Sequence, residues 1–332
     1  MGVVPIIDIS GLASGDAVKR SEVAAALDRA CVEIGFFQVV GHGIDDGLIQ
    51  RMYDVSRAFF ALPAEKKHAV AQPDKDTIRG YSSIGEQALN YNDDPTAPGD
   101  LHEKFDVGPV DVPTGDAYYS RELAGTHFVP NPWPAEPSTM AAVWTEYFRA
   151  CDELAARLMR GFALGLDLPE DWFEATIDRN ISMLRAIHYP DQHTAPKPGQ
   201  MRAGAHSDYG SLTLLRQEEA PGGLQVFTKD GDWVAVPVVP GALVVNIGDL
   251  MAQWTNDRWT STRHRVANPP RGLTSGTDRM SLVFFHQPNY DAVVECIPTC
   301  LAEGDRPRYT PVTSGDHLLN KFRATFETSK AG

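Results

Sequence analysis

His206-Ser207-Asp208 and, further along, His264 supply two imidazoles and one carboxylate. That is the donor set that holds non-haem Fe(II) on one face and leaves three of six positions open. In an extended segment residues i and i+2 point the same way, so His206 and Asp208 can reach one ion from a single strand end. His264 lies in a short β-type run, residues 262–268, closed by Pro269-Pro270. A neighbouring strand of the same barrel would bring it in from the opposite side. Open positions suit a cosubstrate and dioxygen, whereas a structural zinc site is closed by a fourth protein ligand. In a chain with ten histidines an H-x-D pair also arises by chance, so the assignment needs support from elsewhere.

Asp278-Arg279-Met280-Ser281 gives that support, because it opens the apolar run Leu282-Val283-Phe284-Phe285 and puts Arg279 and Ser281 on one face. A guanidinium offers a planar fork to a carboxylate, and the hydroxyl adds a donor. Separately, Arg279 reads as a surface ion pair and Ser281 as strand filler. In register, the two read as a buried carboxylate receptor.

Several ordered blocks resemble the isopenicillin N synthase-like family of Fe(II)/2-oxoglutarate-dependent oxygenases. They are Val4-Pro5-Ile6-Ile7-Asp8-Ile9, residues 35–44, residues 206–213, Gly222-Gly223-Leu224-Gln225-Val226, Asn246-Ile247-Gly248-Asp249, His264-Arg265-Val266 and Arg279-Met280-Ser281. The resemblance implies that His206, Asp208 and His264 ligate iron and that Arg279 with Ser281 holds the distal carboxylate of 2-oxoglutarate. Tyr189 matches a tyrosine that assists the same carboxylate. Ile187-His188-Tyr189 departs from the Asn-Tyr-Tyr of many plant members, and residues 269–277 form a longer segment, expected as a loop near the cosubstrate. Arg79-Gly80-Tyr81 and Lys104-Phe105-Asp106 resemble segments bordering the active site, which makes Arg79, Tyr81 and Phe105 candidate pocket residues. His188 and His286 flank the pocket elements and join them. Phe285 reads either as the apolar pocket wall or as barrel core.

The implied reaction consumes 2-oxoglutarate and dioxygen, releases succinate and carbon dioxide, and hydroxylates, desaturates or cyclises a small molecule. Substrate placement, rather than the metal, decides among these outcomes. Two other readings stay open. An oxidase of the same fold would use Fe(II) and dioxygen without 2-oxoglutarate, and the Arg-x-Ser pair does not separate the two because isopenicillin N synthase shares it. A jelly-roll binding module without catalysis is the third, since fold does not dictate function.

The remaining composition narrows the partners. A formal net charge of −14 argues against a nucleic-acid partner, which calls for a basic patch or stripe. No apolar stretch is long enough to cross a bilayer, and the first residues lack the pattern of a secretory signal, so a cytoplasmic address is expected. Cys31, Cys151, Cys296 and Cys300 are scattered without a C-x-x-C pair and read as free thiols. Oligomeric state is left open.

Hydropathy spacing predicts the elements that must position these residues. Residues 21–32 and 45–60 have helical periodicity, with Asp45 or Asp46 as N-cap and Leu62-Pro63 as a stop, and 36–40 is β-prone. Residues 71–137, rich in Pro, Gly, Asp and Asn, read as loop with short strands. A long helix is expected over 138–165, its stripe of Trp144, Phe148, Cys151, Ala155, Leu158 and Phe162 facing a core. Short β-prone runs follow at 183–189, 212–215, 224–227, 233–238, 242–247 and 281–286, with Lys229-Asp230-Gly231-Asp232 as a hairpin turn, and 318–326 reads as a last helix. The expected fold is mainly β with flanking helices, a distorted double-stranded β-helix or jelly roll. Residues 1–137 would form an N-terminal part and 138–332 the long helix with the catalytic core, together in one folded unit.

Overall fold

The computed structural model of the protein describes residues 3–73, 77–89 and 96–327. Met1 and Gly2, part of the expectation about the chain's start, and residues 74–76 and 90–95 of the looped stretch lie outside the described residues. In chain order the first elements are β1 (Ile6–Asp8), α1 (Ala17–Glu33), β2 (Phe36–Val40), α2 (Asp46–Phe60), α3 (Ala64–His68), β3 (Gly80–Ser82) and β4 (Glu103–Val107). Next come α4 (Met140–Gly165), α5 (Glu174–Ile177), β5 (Met183–Tyr189), β6 (Ala203–His206), β7 (Leu212–Gln217), β8 (Gly223–Phe227) and β9 (Trp233–Ala235). The rest are β10 (Leu243–Ile247), α6 (Asp249–Trp254), β11 (His264–Ala267), β12 (Arg279–His286), β13 (Val293–Val294), β14 (Val312–Thr313) and α7 (Ser314–Glu327).

Eight strands form the larger sheet in the order β1-β2-β10-β7-β12-β5-β4-β3, and four form the smaller one, β6-β11-β8-β9. The fold is mainly β with flanking helices, a jelly roll. Strands from the N-terminal 137 residues extend the larger sheet at both edges: β2 pairs with β10, and β4 with β5.

Period two along the large sheet sorts its side chains between two environments. Leu184, Ala186, Leu214, Leu282, Phe284 and Val245 face α1, α2 and α4 in one apolar core. Their sequence neighbours Arg185, Ile187, Thr213, Ser281, Val283, Phe285 and Asn246 line a cavity facing the smaller sheet. The α4 stripe lies wholly in that core, with Trp144, Leu158 and Phe162 fully buried. Each such side chain contributes ~1.5–3 kcal/mol of burial.

Local chemistry sets the element ends. Asp45, not Asp46, caps α2, accepting from Leu48 N at 2.8 Å. Asp16 caps α1, accepting from Val18 N, and the helix begins at Ala17, four residues ahead of the expected start. The β8–β9 turn closes through Thr228 N to Asp232 O at 2.8 Å. β9 stops at Ala235, shorter than expected, two residues before Pro237, which has no N–H to donate to a ladder. α7 is longer than expected and opens on a side-chain N-cap: Thr313 Oγ1 accepts from Asp316 N and donates to the Asp316 carboxylate.

Candidate metal and cosubstrate site

β6 and β11 are adjacent antiparallel strands, and His206 is the register partner of His264. The second imidazole therefore comes from the neighbouring strand of the same small sheet, not from an opposite wall. The two rings lie 4.3 Å apart. Asp208 stands beyond the end of β6, so strand parity does not place it. Its Oδ1 is 3.8 Å from His206 Nε2 and 3.7 Å from His264 Nε2. One donor atom from each of the three residues falls within 4.8 Å of the others, a spacing one ion can bridge.

The surroundings fix which atoms face that point. His206 Nδ1 lies 2.7 Å from Gly204 O, and His264 Nδ1 lies 3.1 Å from Thr262 O. A carbonyl only accepts, so both Nδ1 atoms carry the proton and both Nε2 lone pairs are free. Burial, reinforced by the neighbouring His264, lowers His206 to about 4, so its ring is neutral near pH 7. Asp208 Oδ2 accepts from Thr213 Oγ1 at 2.6 Å and Asn246 Nδ2 at 2.7 Å, leaving Oδ1 toward the imidazoles. Asp249 N also donates to Asp208 O at 2.7 Å. Gly248 makes this crossing feasible, because a Cβ there would overlap the Gly210 backbone.

The β5–β12 ladder pairs Arg279 with Tyr189. Arg279 is 2% exposed, and its guanidinium carbon sits 5.2 Å from the Tyr189 ring centre. Its Nη2 is 3.5 Å from Gln217 Oε1 and 3.4 Å from Ser281 Oγ, while Nε and Nη1 are buried without a partner among the described residues. A buried guanidinium with unused N–H groups calls for an anion. Ser281 and Tyr189 line the cavity, and Arg279, on the same face of β12 as Ser281, touches both. Burial raises the Tyr189 phenol to about 12, keeping it a neutral donor. Arg202, fully buried, also lies against Tyr189 and donates to Thr277 O at 2.5 Å, anchoring the end of the 269–277 loop.

Of the six candidate pocket residues, the cavity includes Phe285 alone. Arg79 is buried outside it, donating to Ile78 O and His127 O at 2.7 Å each, and Ile78 is the neighbour that reaches the cavity. Tyr81 and Phe105 fall on the helix-facing side of the sheet. The Tyr81 hydroxyl donates to Glu103 at 2.6 Å, and Phe105 packs against Phe59 and Trp144. His188 lies on that side too, 2.8 Å from Glu103 and 2.7 Å from Asp278, with its ring against Phe60. His286 has the opposite parity to Phe285, and its Nδ1 is 2.6 Å from Ser211 Oγ. In β5 and β12 it is the alternate residue that faces the cavity. Applying period two back from Tyr189 finds Ile187 and Arg185, which sequence reasoning missed together with Thr213, Asn246, His102 and the α7 pair Leu318 and Phe322.

Comparison with known proteins gives the class of this geometry. Residues 4–136 match the N-terminal region of the non-haem dioxygenases named for morphine synthesis, and residues 180–288 match the 2OG-Fe(II) oxygenase superfamily. The chain is 34% identical to a 2-oxoglutarate-Fe(II) type oxidoreductase of Emericella nidulans, over 98% of this chain and 91% of the relative. It is also 34% identical to a homoarginine-6-hydroxylase of Oryza sativa subsp. japonica, over 97% of both. A full-length Neurospora crassa protein, solved in complex with alpha-KG and thymine, superposes with a TM-score of 0.85 at 32% identity, covering 97% of each chain. The chain belongs to the 2-oxoglutarate-Fe(II) oxygenase superfamily. It is an Fe(II)- and 2-oxoglutarate-dependent oxygenase, and neither an oxidase dispensing with 2-oxoglutarate nor a non-catalytic module is favoured. No helix among the described residues is long and apolar enough to cross a membrane.

Proposed function

We propose that His206, Asp208 and His264 hold the Fe(II), that Arg279, Ser281 and Tyr189 receive the far carboxylate of 2-oxoglutarate, and that a small organic molecule is hydroxylated in the adjoining cavity. The observation carrying the assignment is the pair of Nε2 atoms freed by Nδ1 contacts to carbonyls and aimed with Asp208 Oδ1 at one point. The unpartnered Arg279 N–H groups support the cosubstrate half. Hydroxylation is the preferred outcome because relatives at this identity include homoarginine-6-hydroxylases.

With both groups bound, the site supplies a two-electron oxidation of a substrate C–H, while 2-oxoglutarate and dioxygen give succinate and carbon dioxide. The protein's own part is positioning. Thr213 and Asn246 hold the carboxylate, Gly204 and Thr262 carbonyls hold the rings, and Arg279 neutralises the cosubstrate's distal charge. Leu318 and Phe322 of α7 line the cavity and limit water there.

Anaerobic titration with Fe(II) and then 2-oxoglutarate tests the assignment. Asp208→Ala is expected to abolish Fe(II) binding. Arg279→Leu is expected to weaken 2-oxoglutarate ~100-fold, ~2.7 kcal/mol, with Fe(II) affinity changed less than about twofold. Unaltered 2-oxoglutarate affinity in Arg279→Leu would remove Arg279 from the site.

A further inference from the structure

Arg185 lies on the cavity face of β5 and has no part in the assignments above. Its Nε donates to Asp106 Oδ1 at 2.6 Å, and its guanidinium carbon sits 5.2 Å from the Phe285 ring centre. A guanidinium has five N–H donors. Nε uses one, and the terminal nitrogens meet no acceptor among the described residues. The carboxylate clamp and the aromatic ring together hold one orientation of a flexible side chain, so little is left to order when a ligand arrives.

Arg185 does not have its carboxylate partner to itself. Asp106, fully buried, is shared: Lys104 Nζ stands 3.4 Å from its other oxygen, and the buried Arg79 feels the same carboxylate. Among the described residues, Arg185, Lys104 and Arg79 therefore share Asp106. Glu86 and Asp100 also act on Lys104, and burial raises the Asp100 carboxyl to about 7, so it supplies only part of a charge. Asp106 is thus divided among several cations and engages Arg185 through Nε alone, which leaves the terminal N–H groups to pair with an anionic ligand.

That ligand is not the cosubstrate's distal carboxylate. Arg185 is four residues along β5 from Tyr189, the partner of Arg279, which separates the two backbone positions by about 13 Å of strand. Phe285, beneath Arg185, is instead the register partner of Thr213, which holds Asp208. Arg185 thus serves the part of the cavity next to the metal-binding group, whose other walls include Met183, Ile181 and Leu318.

We infer that Arg185 is a specificity-determining anchor for a carboxylate on the substrate, and that the substrate class is small organic acids with an apolar body lying over Phe285. The inference rests on the Fe(II)/2-oxoglutarate assignment proposed above and adds the substrate's charge to it.

The test uses the full chain loaded with Fe(II) and saturating 2-oxoglutarate without oxygen, titrated with phenylacetate and hexanoate and with their uncharged amides. Binding is read from the Fe(II)–2-oxoglutarate absorption, and succinate release is measured after air is admitted. Expected is acid binding at least ~10-fold tighter than the matching amide, as a charge-assisted bond in a buried site gives. Arg185→Gln is expected to erase that preference while leaving amide, Fe(II) and 2-oxoglutarate affinities within about twofold. Arg185→Lys should keep part of it. Absence of any acid preference in the native protein overturns the inference, as does an acid preference that survives in Arg185→Gln. If Arg185→Gln does not fold, the native acid and amide comparison and the Arg185→Lys variant decide in the same way. Failure of Fe(II) and 2-oxoglutarate to bind at all would overturn the underlying assignment as well, whereas normal loading without acid preference overturns the anchor alone.

Discussion

Thr213→Val removes one hydroxyl from behind the proposed metal carboxylate and changes little else. Thr213 sits in β7, 3% exposed, and valine is equally β-branched, so the strand is kept. The lost bond is the 2.6 Å donation to Asp208 Oδ2, which leaves Asn246 at 2.7 Å as the remaining side-chain donor to that oxygen. Hydrogen bonds to charged groups contribute ~1.5–3 kcal/mol, and with Asn246 still in place the lower end applies, which is ~10-fold in affinity. The direction follows from the geometry. Asp208 loses a group that fixes Oδ1 toward the imidazoles, so Fe(II) binds more weakly. 2-Oxoglutarate affinity at saturating Fe(II) stays within about twofold, because Arg279 and Ser281 are untouched. The assay is an anaerobic Fe(II) competition titration on Thr213→Val, Asn246→Leu and the double variant, with thermal unfolding of each metal-free protein as a control on the fold. The double variant should lose more than the sum of the singles, since either donor alone still holds the oxygen. Native Fe(II) affinity in a folded Thr213→Val protein would refute the claim that this hydroxyl positions the carboxylate.

Two further outcomes follow from the frame around the site. Burial alone would lower His188, but its bonds to Asp278 and Glu103 raise it to about 9, above the ~6.5 of an unfolded chain. Its stabilisation is therefore full below about pH 6.5 and is lost as pH rises through about 9. The Tm difference between the native protein and His188→Gln should shrink over that window, and a difference constant with pH would refute the linkage. Gly248→Ala places a methyl against the Gly210 carbonyl and is expected to cost ~1–3 kcal/mol of stability, measured by urea unfolding. It should also weaken Fe(II), because the same backbone crossing ties Asp249 N to Asp208 O. A variant with native stability would show that the crossing can relax.

Local sequence carried the parts of the fold that depend on local chemistry. The helices, the β-prone runs and the hairpin at Lys229-Asp230-Gly231-Asp232 follow from periodicity and turn residues that act over a few positions. The grouping of His206, Asp208 and His264, and the contact of Arg279 with Ser281, could be anticipated because metal and carboxylate chemistry admits few side chains. Tertiary structure alone decided which face of each strand meets the cavity. Arg185 and His188 are three residues apart, yet one lines the cavity and the other packs against Phe60, because the sheet has helices on one side and the smaller sheet on the other. Packing likewise set the position of Asp208, which lies past the end of its strand and is held by Thr213 and Asn246 from two strands of the other sheet. A chain specifies its alternation locally, but the direction of that alternation becomes definite only when both faces of a sheet have been covered.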